Sequence, residues 1–165
     1  LIIEDYSSCK FNKLDKYSLV VEEGLKILKK NIVQEENYWK ISGAHDGYSK
    51  RFKLIHEREI EFYPEQMKFV GYDKIIRTEK IQNVKFDIRF HLQPSSKVMK
   101  TQDNKSILIE LEEEGWKFSC DNFEISIDNS LYFDNKNSYK ESQNIFITGI
   151  NSTSDQTIKW EITKL

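Results

Sequence analysis

The chain has 165 residues, enough for one globular domain whose core needs no covalent staples. Hydrophobic residues make up 38% and aromatic residues 13%, and that density of rings excludes a disordered chain. Lys and Arg total 25 against 27 Asp and Glu, a net charge of -2, which excludes nucleic-acid binding driven by phosphate neutralisation.

No apolar run approaches the ~20 residues that span a bilayer, and no signal peptide is visible. Neither nucleic acid nor membrane is expected as a partner. Cys9 and Cys120 are too few for a disulfide framework or a CxxC metal knuckle. One bridge and two buried thiols both stay open, and with them the compartment.

In chain order, Leu1-Ile2-Ile3 reads as a strand. A chain that opens inside a strand is expected to be a piece of a longer protein. Val20 to Ile32, around Gly24, fits a short amphipathic helix and a strand after a Gly turn equally well. In Ser42–Tyr48 two glycines flank His45-Asp46, with Tyr48 after them. The plain reading is a loop in which Gly supplies special φ/ψ and His45 caps a turn. The functional reading is a polar cluster at the rim of a sugar-binding cleft, since His and Tyr each offer a flat face and a hydrogen-bonding tip.

Phe52–Tyr63 is a strand whose even positions are Phe52, Leu54, His56, Arg58, Ile60 and Phe62. A His and an Arg on an otherwise apolar face need partners. Those partners are a Glu or a backbone carbonyl in a structural network, or else the face lines an anion-binding groove. Val84, Phe86, Ile88, Phe90 and Leu92 alternate with Lys85, Asp87, Arg89 and His91, a strand with one wet face. Ile107, Ile109 and Leu111 continue the pattern, with Leu108 as the exception. Trp116, Phe118 and Cys120 share a face, followed by Phe123, Ile125 and Ile127. Ile145–Thr148 and then Ile158, Trp160 and Ile162 close the series. Trp116 and Trp160 read as core, and Trp39 is ambiguous.

Turn residues separate these runs at Gly43–Gly47, Pro64-Glu65-Gln66, Pro94-Ser95-Ser96, Gln102-Asp103-Asn104, Glu114-Gly115, Asp134–Asn137 and Asn151–Asp155. The fold class is therefore all-β: an antiparallel two-sheet β-sandwich of roughly ten to twelve strands, with residues 1–165 as a single domain.

Three histidines, His45, His56 and His91, suffice in number for zinc, but their spacing matches no compact motif. No metal site and no cofactor are expected in this chain. No GxSxG, HExxH, P-loop or GxGxxG occurs. Lys50, Arg51 and Lys53, or Lys26, Lys29 and Lys30, would form a local basic stripe, although such runs are usually solvated faces.

Several of these segments, taken in order, resemble the C-terminal β-sandwich of heparinase II/III-like polysaccharide lyases. Leu1-Ile2-Ile3-Glu4-Asp5 with Ser7-Ser8 resembles the strand just after that family's His-Asn-Thr motif. Ala44-His45-Asp46-Gly47-Tyr48, followed by His56-Glu57-Arg58, resembles its "HDGY … H-x-R" stretch. Arg89-Phe90-His91-Leu92-Gln93-Pro94 resembles its "RFHLxP" strand. Gly115–Phe118, Asn129–Tyr132 and Ile158-Lys159-Trp160 are similar to later strands.

The resemblance implies an N-terminal α/α toroid in the same chain, with an acidic polysaccharide (glycosaminoglycan or alginate) in the cleft between toroid and sandwich. It implies β-elimination at uronic acid residues and favours a periplasmic or secreted setting. The family's acid/base residues and metal-site histidines lie upstream of the position that Leu1 occupies. No catalytic residue is therefore expected in this chain, which alone should be inactive, and a structural divalent metal such as zinc belongs upstream of residue 1. His45, Tyr48, His56, Arg58, Arg89 and His91 remain as substrate-binding or cleft-shaping candidates. The alternative is a stand-alone carbohydrate-binding or interaction module. A sandwich without its upstream strands would expose a sheet edge at Leu1–Ile3 or an apolar patch, so weak self-association is expected.

Overall fold

Alternation with a period of two governs the chain almost from end to end, and strands follow from it. The computed structural model describes residues 1–15, 18–80, 82–134, 138–152 and 154–165. The first strands are β1 (Ile2–Ile3), β2 (Lys10–Lys13), β3 (Leu19–Glu23), β4 (Ile27–Glu35) and β5 (Tyr38–Tyr48). A helical turn α1 (Ser49–Phe52) leads into β6 (Leu54–Tyr63), β7 (Lys68–Arg77), β8 (Val84–His91), β9 (Lys97–Lys100) and β10 (Ser106–Leu111). The last strands are β11 (Glu114–Cys120), β12 (Ile125–Phe133), β13 (Tyr139–Asn151) and β14 (Gln156–Lys164).

These strands form an eight-stranded sheet, β4-β5-β6-β7-β14-β11-β10-β9, and a four-stranded sheet, β1-β8-β13-β12, with β2 and β3 as a separate ribbon. All pairings are antiparallel. The all-β sandwich is as the alternation predicts. The strand count is higher because β2 and β9, with four residues each, are too short to show a period in sequence.

Val20–Ile32 resolves into the end of β3 and the start of β4, with no helix. The Ser42–Tyr48 stretch is strand rather than loop, with an irregularity in its pairing between His45 and Tyr48. Asp46 accounts for it locally: its backbone N–H donates to the Lys26 carbonyl and its carboxylate accepts the Lys26 N–H. Gly47 is required there, since a Cβ would sit 2.5 Å from the Ser8 carbonyl oxygen. The strand expected from Phe52 begins at Leu54, because Lys53 ends α1 in the left-handed region at φ 52. Of the predicted turns, Asn135–Asn137 and Thr153 lie outside the described residues.

The core lies between the two sheets. Phe86, Ile88, Ile145 and Ile147 of the smaller sheet meet Ile75, Ile107, Phe118, Ile158 and Trp160 of the larger. Phe90 packs against the rings of Phe118 and Trp160, at 4.9 and 4.8 Å between centroids. Trp160 is core as expected; Trp116 is only half-buried, and Trp39 is 46% exposed. Cys9 and Cys120 are both free thiols, half-buried and buried respectively. Among the described residues no helix is long and apolar enough to cross a membrane.

The sheets differ in width. The smaller one reaches from β12, which lies against β9, to β1, and the carbonyl of Leu1 just before β1 accepts the Tyr48 hydroxyl of β5. Beyond β1 the larger sheet continues with no cover among the described residues, and Ile27, Ile32, Trp39 and Ile41 are exposed there.

Candidate functional site

The inward face of β5, β6 and β7 carries a polar network inside otherwise apolar surroundings. Strand register puts His45 opposite His56 and Arg58 opposite Asp73. Asp73 is fully buried. Its Oδ1 accepts from His56 Nε2 at 2.7 Å and Arg58 Nε at 2.8 Å. Its Oδ2 accepts from Arg58 Nη2 at 3.1 Å and Trp160 Nε1 at 2.8 Å. Four donors thus compensate one desolvated carboxylate, which is what burial of a charge requires.

The proton positions in the network follow from Asp73. An ionised carboxylate only accepts, so His56 carries its proton on Nε2 and presents a bare Nδ1. His45 Nε2, 3.3 Å away, then donates to it. His45 Nδ1 is left as the acceptor for the Gly47 N–H at 3.2 Å. Every ring nitrogen of both histidines is committed.

Burial pushes the His45 imidazole down to about 4, with help from neighbouring His56. Burial also lowers His56, although Asp73 opposes the shift. For Asp73 burial works upward, but His56 and Arg58 outweigh it and hold the carboxyl at about 2. The ion pair in the network is therefore Arg58–Asp73, and His56–Asp73 is a hydrogen bond from a neutral ring.

Trp160 reaches Asp73 because its cross-strand neighbour is Gly71. A Cβ at Gly71 would lie 2.0 Å from the Trp160 ring. The indole thus lies across the glycine and delivers its N–H to Asp73, two residues on. Tyr48 is buried, and its hydroxyl donates to the Leu1 carbonyl. Burial pushes that phenol up to about 12.

Of the six residues singled out in sequence, His45, Tyr48, His56 and Arg58 come together here. Arg89 and His91 do not: they face outward from the smaller sheet, since Ile88 and Phe90 point into the core. Arg89 donates to Asn144 Oδ1 at 3.1 Å and lies over the Phe146 ring, while exposed His91 pairs with Ser130 Oγ. The partner of His56 and Arg58 is neither a Glu nor a carbonyl but Asp73. Its signal was present: an acid in the strand run Phe69-Val70-Gly71-Tyr72-Asp73-Lys74-Ile75, on the parity of Phe69 and Ile75, where Asp is normally depleted. Gly71 marked the close approach of another side chain.

The basic stripes are neutralised in part. Lys29 pairs with Glu57, Lys50 with Glu23 and Lys53 with Glu79, and Arg51 stacks 3.5 Å over the Tyr6 ring. Among the described residues no group of His, Cys, Asp and Glu converges where a metal ion could sit. The committed nitrogens of His45 and His56 do not fit a zinc site.

Among solved structures, the heparan sulfate lyase HepC of Pedobacter heparinus superposes with a TM-score of 0.70 at 10% identity, over 86% of this chain and 22% of that one. The BT4657 gene product, a heparinase III, matches with a TM-score of 0.63 at 11% identity, over 87% and 22%. Another heparinase III matches with a TM-score of 0.60 at 15% identity, over 88% and 22%. The chain thus spans about a fifth of the length of these proteins, and at such identities the likeness concerns the fold. No curated protein matches the chain in sequence. The family model "Heparinase II/III-like, C-terminal" matches residues 1–161. With that match covering nearly the whole chain, the protein belongs to the heparinase II/III-like family, whose C-terminal domain it represents.

Proposed function

We propose that this chain is the supporting β-sandwich of a lyase that cleaves acidic polysaccharide by β-elimination at uronic acid residues, together with an α/α toroid upstream in the same polypeptide. Elimination needs a base to take the C5 proton, an acid for the departing 4-oxygen, and groups that neutralise the carboxylate.

The observation that carries the supporting role is the closed hydrogen-bond network. His45 and His56 have no free nitrogen to offer as a base. Tyr48, at about 12 and with its hydroxyl donated to a backbone carbonyl, is not poised to lose a proton near neutrality. Arg58 turns two of its donors to Asp73. These residues hold strands β5, β6, β7 and β14 in register, and the acid/base pair and any divalent metal belong to the upstream part.

The test is turnover by the intact parent protein on heparan sulfate and alginate, followed by ultraviolet absorbance of the unsaturated product. His45→Gln and Tyr48→Phe parents that remain folded should keep kcat within about fivefold, since general acid–base residues are worth roughly 10²–10⁴-fold. A thousandfold loss in either variant with an unchanged melting curve would make that residue catalytic. Turnover by the chain alone would also defeat the proposal.

A further inference from the structure

The two basic runs of the sequence meet at one cleft. Lys26 comes from the link between β3 and β4, Lys50 and Arg51 from α1, and Lys10 from β2. Together they line a cavity of about 630 Å³. Residues 6–9 close one side of it, where the Ser8 carbonyl approaches Gly47 at the end of β5. Clefts of about 300–1,000 Å³ are the size that small ligands occupy.

The lining inverts the charge of the chain. Four cations stand against two carboxylates, Glu23 and Asp46, whereas the whole chain carries -2. The Asp46 carboxylate is occupied by the Lys26 backbone N–H at 2.7 Å. Glu23 meets Lys50 at 3.4 Å and Glu22 meets Lys10 at 2.8 Å, both pairs with exposed side chains. Such pairs contribute little and give way to a better-placed anion. Among the described residues the side chains of Lys26 and Arg51 have no carboxylate partner. Arg51 instead lies 3.5 Å over the Tyr6 ring, and that ring meets Phe52 at 5.8 Å. Tyr6 and Phe11, both in the lining, are 44% and 55% exposed. Flat rings beside unpaired cations suit a ligand that is itself a ring with an acidic group. The C–H face of a sugar packs on an aromatic ring, and a carboxylate or sulfate takes charge-assisted bonds from guanidinium and ammonium groups.

We propose that this cleft binds an acidic sugar unit, with its ring against Tyr6 and Phe11 and its carboxylate or sulfate on Arg51 and Lys26. The Arg51 guanidinium is already oriented by its stack on Tyr6, so little side-chain freedom is left to lose on binding. The exposed rings and the volume favour a ring-bearing anion over a bare ion. Neither His45 nor Arg58 belongs to this lining, so the site is separate from the hydrogen-bond network around Asp73. It gives the sandwich a part in holding the polymer, and the choice of a sugar as ligand rests on the polysaccharide reading above.

Cys9 lines the same cleft and is half-buried, so its alkylation reports whether the cleft is filled. The test uses the intact parent protein, the neutral reagent N-ethylmaleimide, and mass spectrometry of the peptide that holds Cys9. The probe is a sulfated disaccharide with an unsaturated uronate, which offers no further bond for elimination. At saturation it should slow Cys9 alkylation about fivefold or more, whereas cellobiose should not. Arg51→Gln should raise the concentration needed by about tenfold, and Lys26→Gln, at an exposed lysine, should raise it as well. Added salt should weaken the protection. No protection, equal protection by cellobiose or by inorganic sulfate, or protection unchanged in both variants would overturn the proposal. None of these readouts involves turnover. A parent that shows the protection yet eliminates no uronate would sink the lyase reading and leave this site standing; an active parent without the protection would sink the site alone.

Discussion

Asp73→Asn changes one oxygen to nitrogen and tests the whole network. In the native protein both carboxylate oxygens accept two donors each. The amide of Asn has one accepting atom and one donating atom. With its nitrogen in place of Oδ2, it confronts the N–H groups of Trp160 and Arg58. Turned the other way, it confronts His56 Nε2–H and Arg58 Nε–H. His56 could shift its proton to Nδ1, but that atom already accepts from His45, whose Nδ1 in turn accepts from Gly47. The mismatch therefore moves along the chain without vanishing, and Arg58 loses its counter-ion in both orientations. Removing one partner of a buried ion pair costs about 3–5 kcal/mol. At ~2–4 °C per kcal/mol for a domain of this size, the melting temperature should fall by roughly 6–20 °C. Differential scanning calorimetry of wild type and variant measures it. A variant melting within about 2 °C of wild type would refute the claim that Asp73 is the network's obligatory acceptor.

Three further outcomes follow from the same geometry. Gly71→Ala drives a methyl into the Trp160 indole, which also serves Asp73, and should cost about 3 kcal/mol in urea unfolding; a cost below about 1 kcal/mol would show that the ring can slide without loss. His45 is neutral in the fold at about 4 but takes up a proton near 6.5 once unfolded, so the stability it contributes is complete above 6.5 and drains away as the pH falls toward 4. Allowing for its half-exposed setting, about 1–2 kcal/mol should go, His45→Gln should flatten the curve, and identical pH profiles for the two proteins would count against the assignment. Cys120 is buried with its thiol pushed up, whereas Cys9 is half-buried, so a thiol reagent should modify Cys9 in the native protein and Cys120 only after unfolding; rapid modification of Cys120 in the native protein would contradict the packing of β11.

The architecture was legible because alternation and turn chemistry act locally. Val84 to Leu92, and Ile158 to Ile162, announce a buried and a wet face without reference to any partner. The site was legible in half. His56 and Arg58 stood out as polar residues on an apolar parity, which states a need for partners but not their identity. Their partner Asp73 lies a strand away, brought close by the register of β6 and β7, and register is a tertiary property. Its own run, with Gly71 and an acid at core parity, carried the complementary signal. Arg89 and His91 were drawn to the same group by motif resemblance, yet parity alone, with Ile88 and Phe90 between and beside them, sends them to the opposite side of the smaller sheet.

The uncovered face marks where pattern reading stops for a physical reason. Ile32, Trp39, Ile41 and Ile60 alternate in the way that Ile107, Ile109 and Phe118 do, since alternation records which side of a strand avoids water in the complete protein. It does not record which residues provide the cover. For Ile107 and Phe118 the cover is the smaller sheet of this same chain; for Ile32 and Ile41 none is present among the described residues. An apolar side chain that is 62% exposed within such an alternation marks a contact surface. The polar network lies at this boundary, with Arg58 and His45 lining an apolar groove of about 440 Å³. Within it the histidine nitrogens are all committed, while Arg58 keeps donors that face the groove. The closure of every His45 and His56 hydrogen bond thus borders an exposed apolar face on the same sheet, and the two differ in that the network is complete within this chain whereas the face has no cover among the described residues.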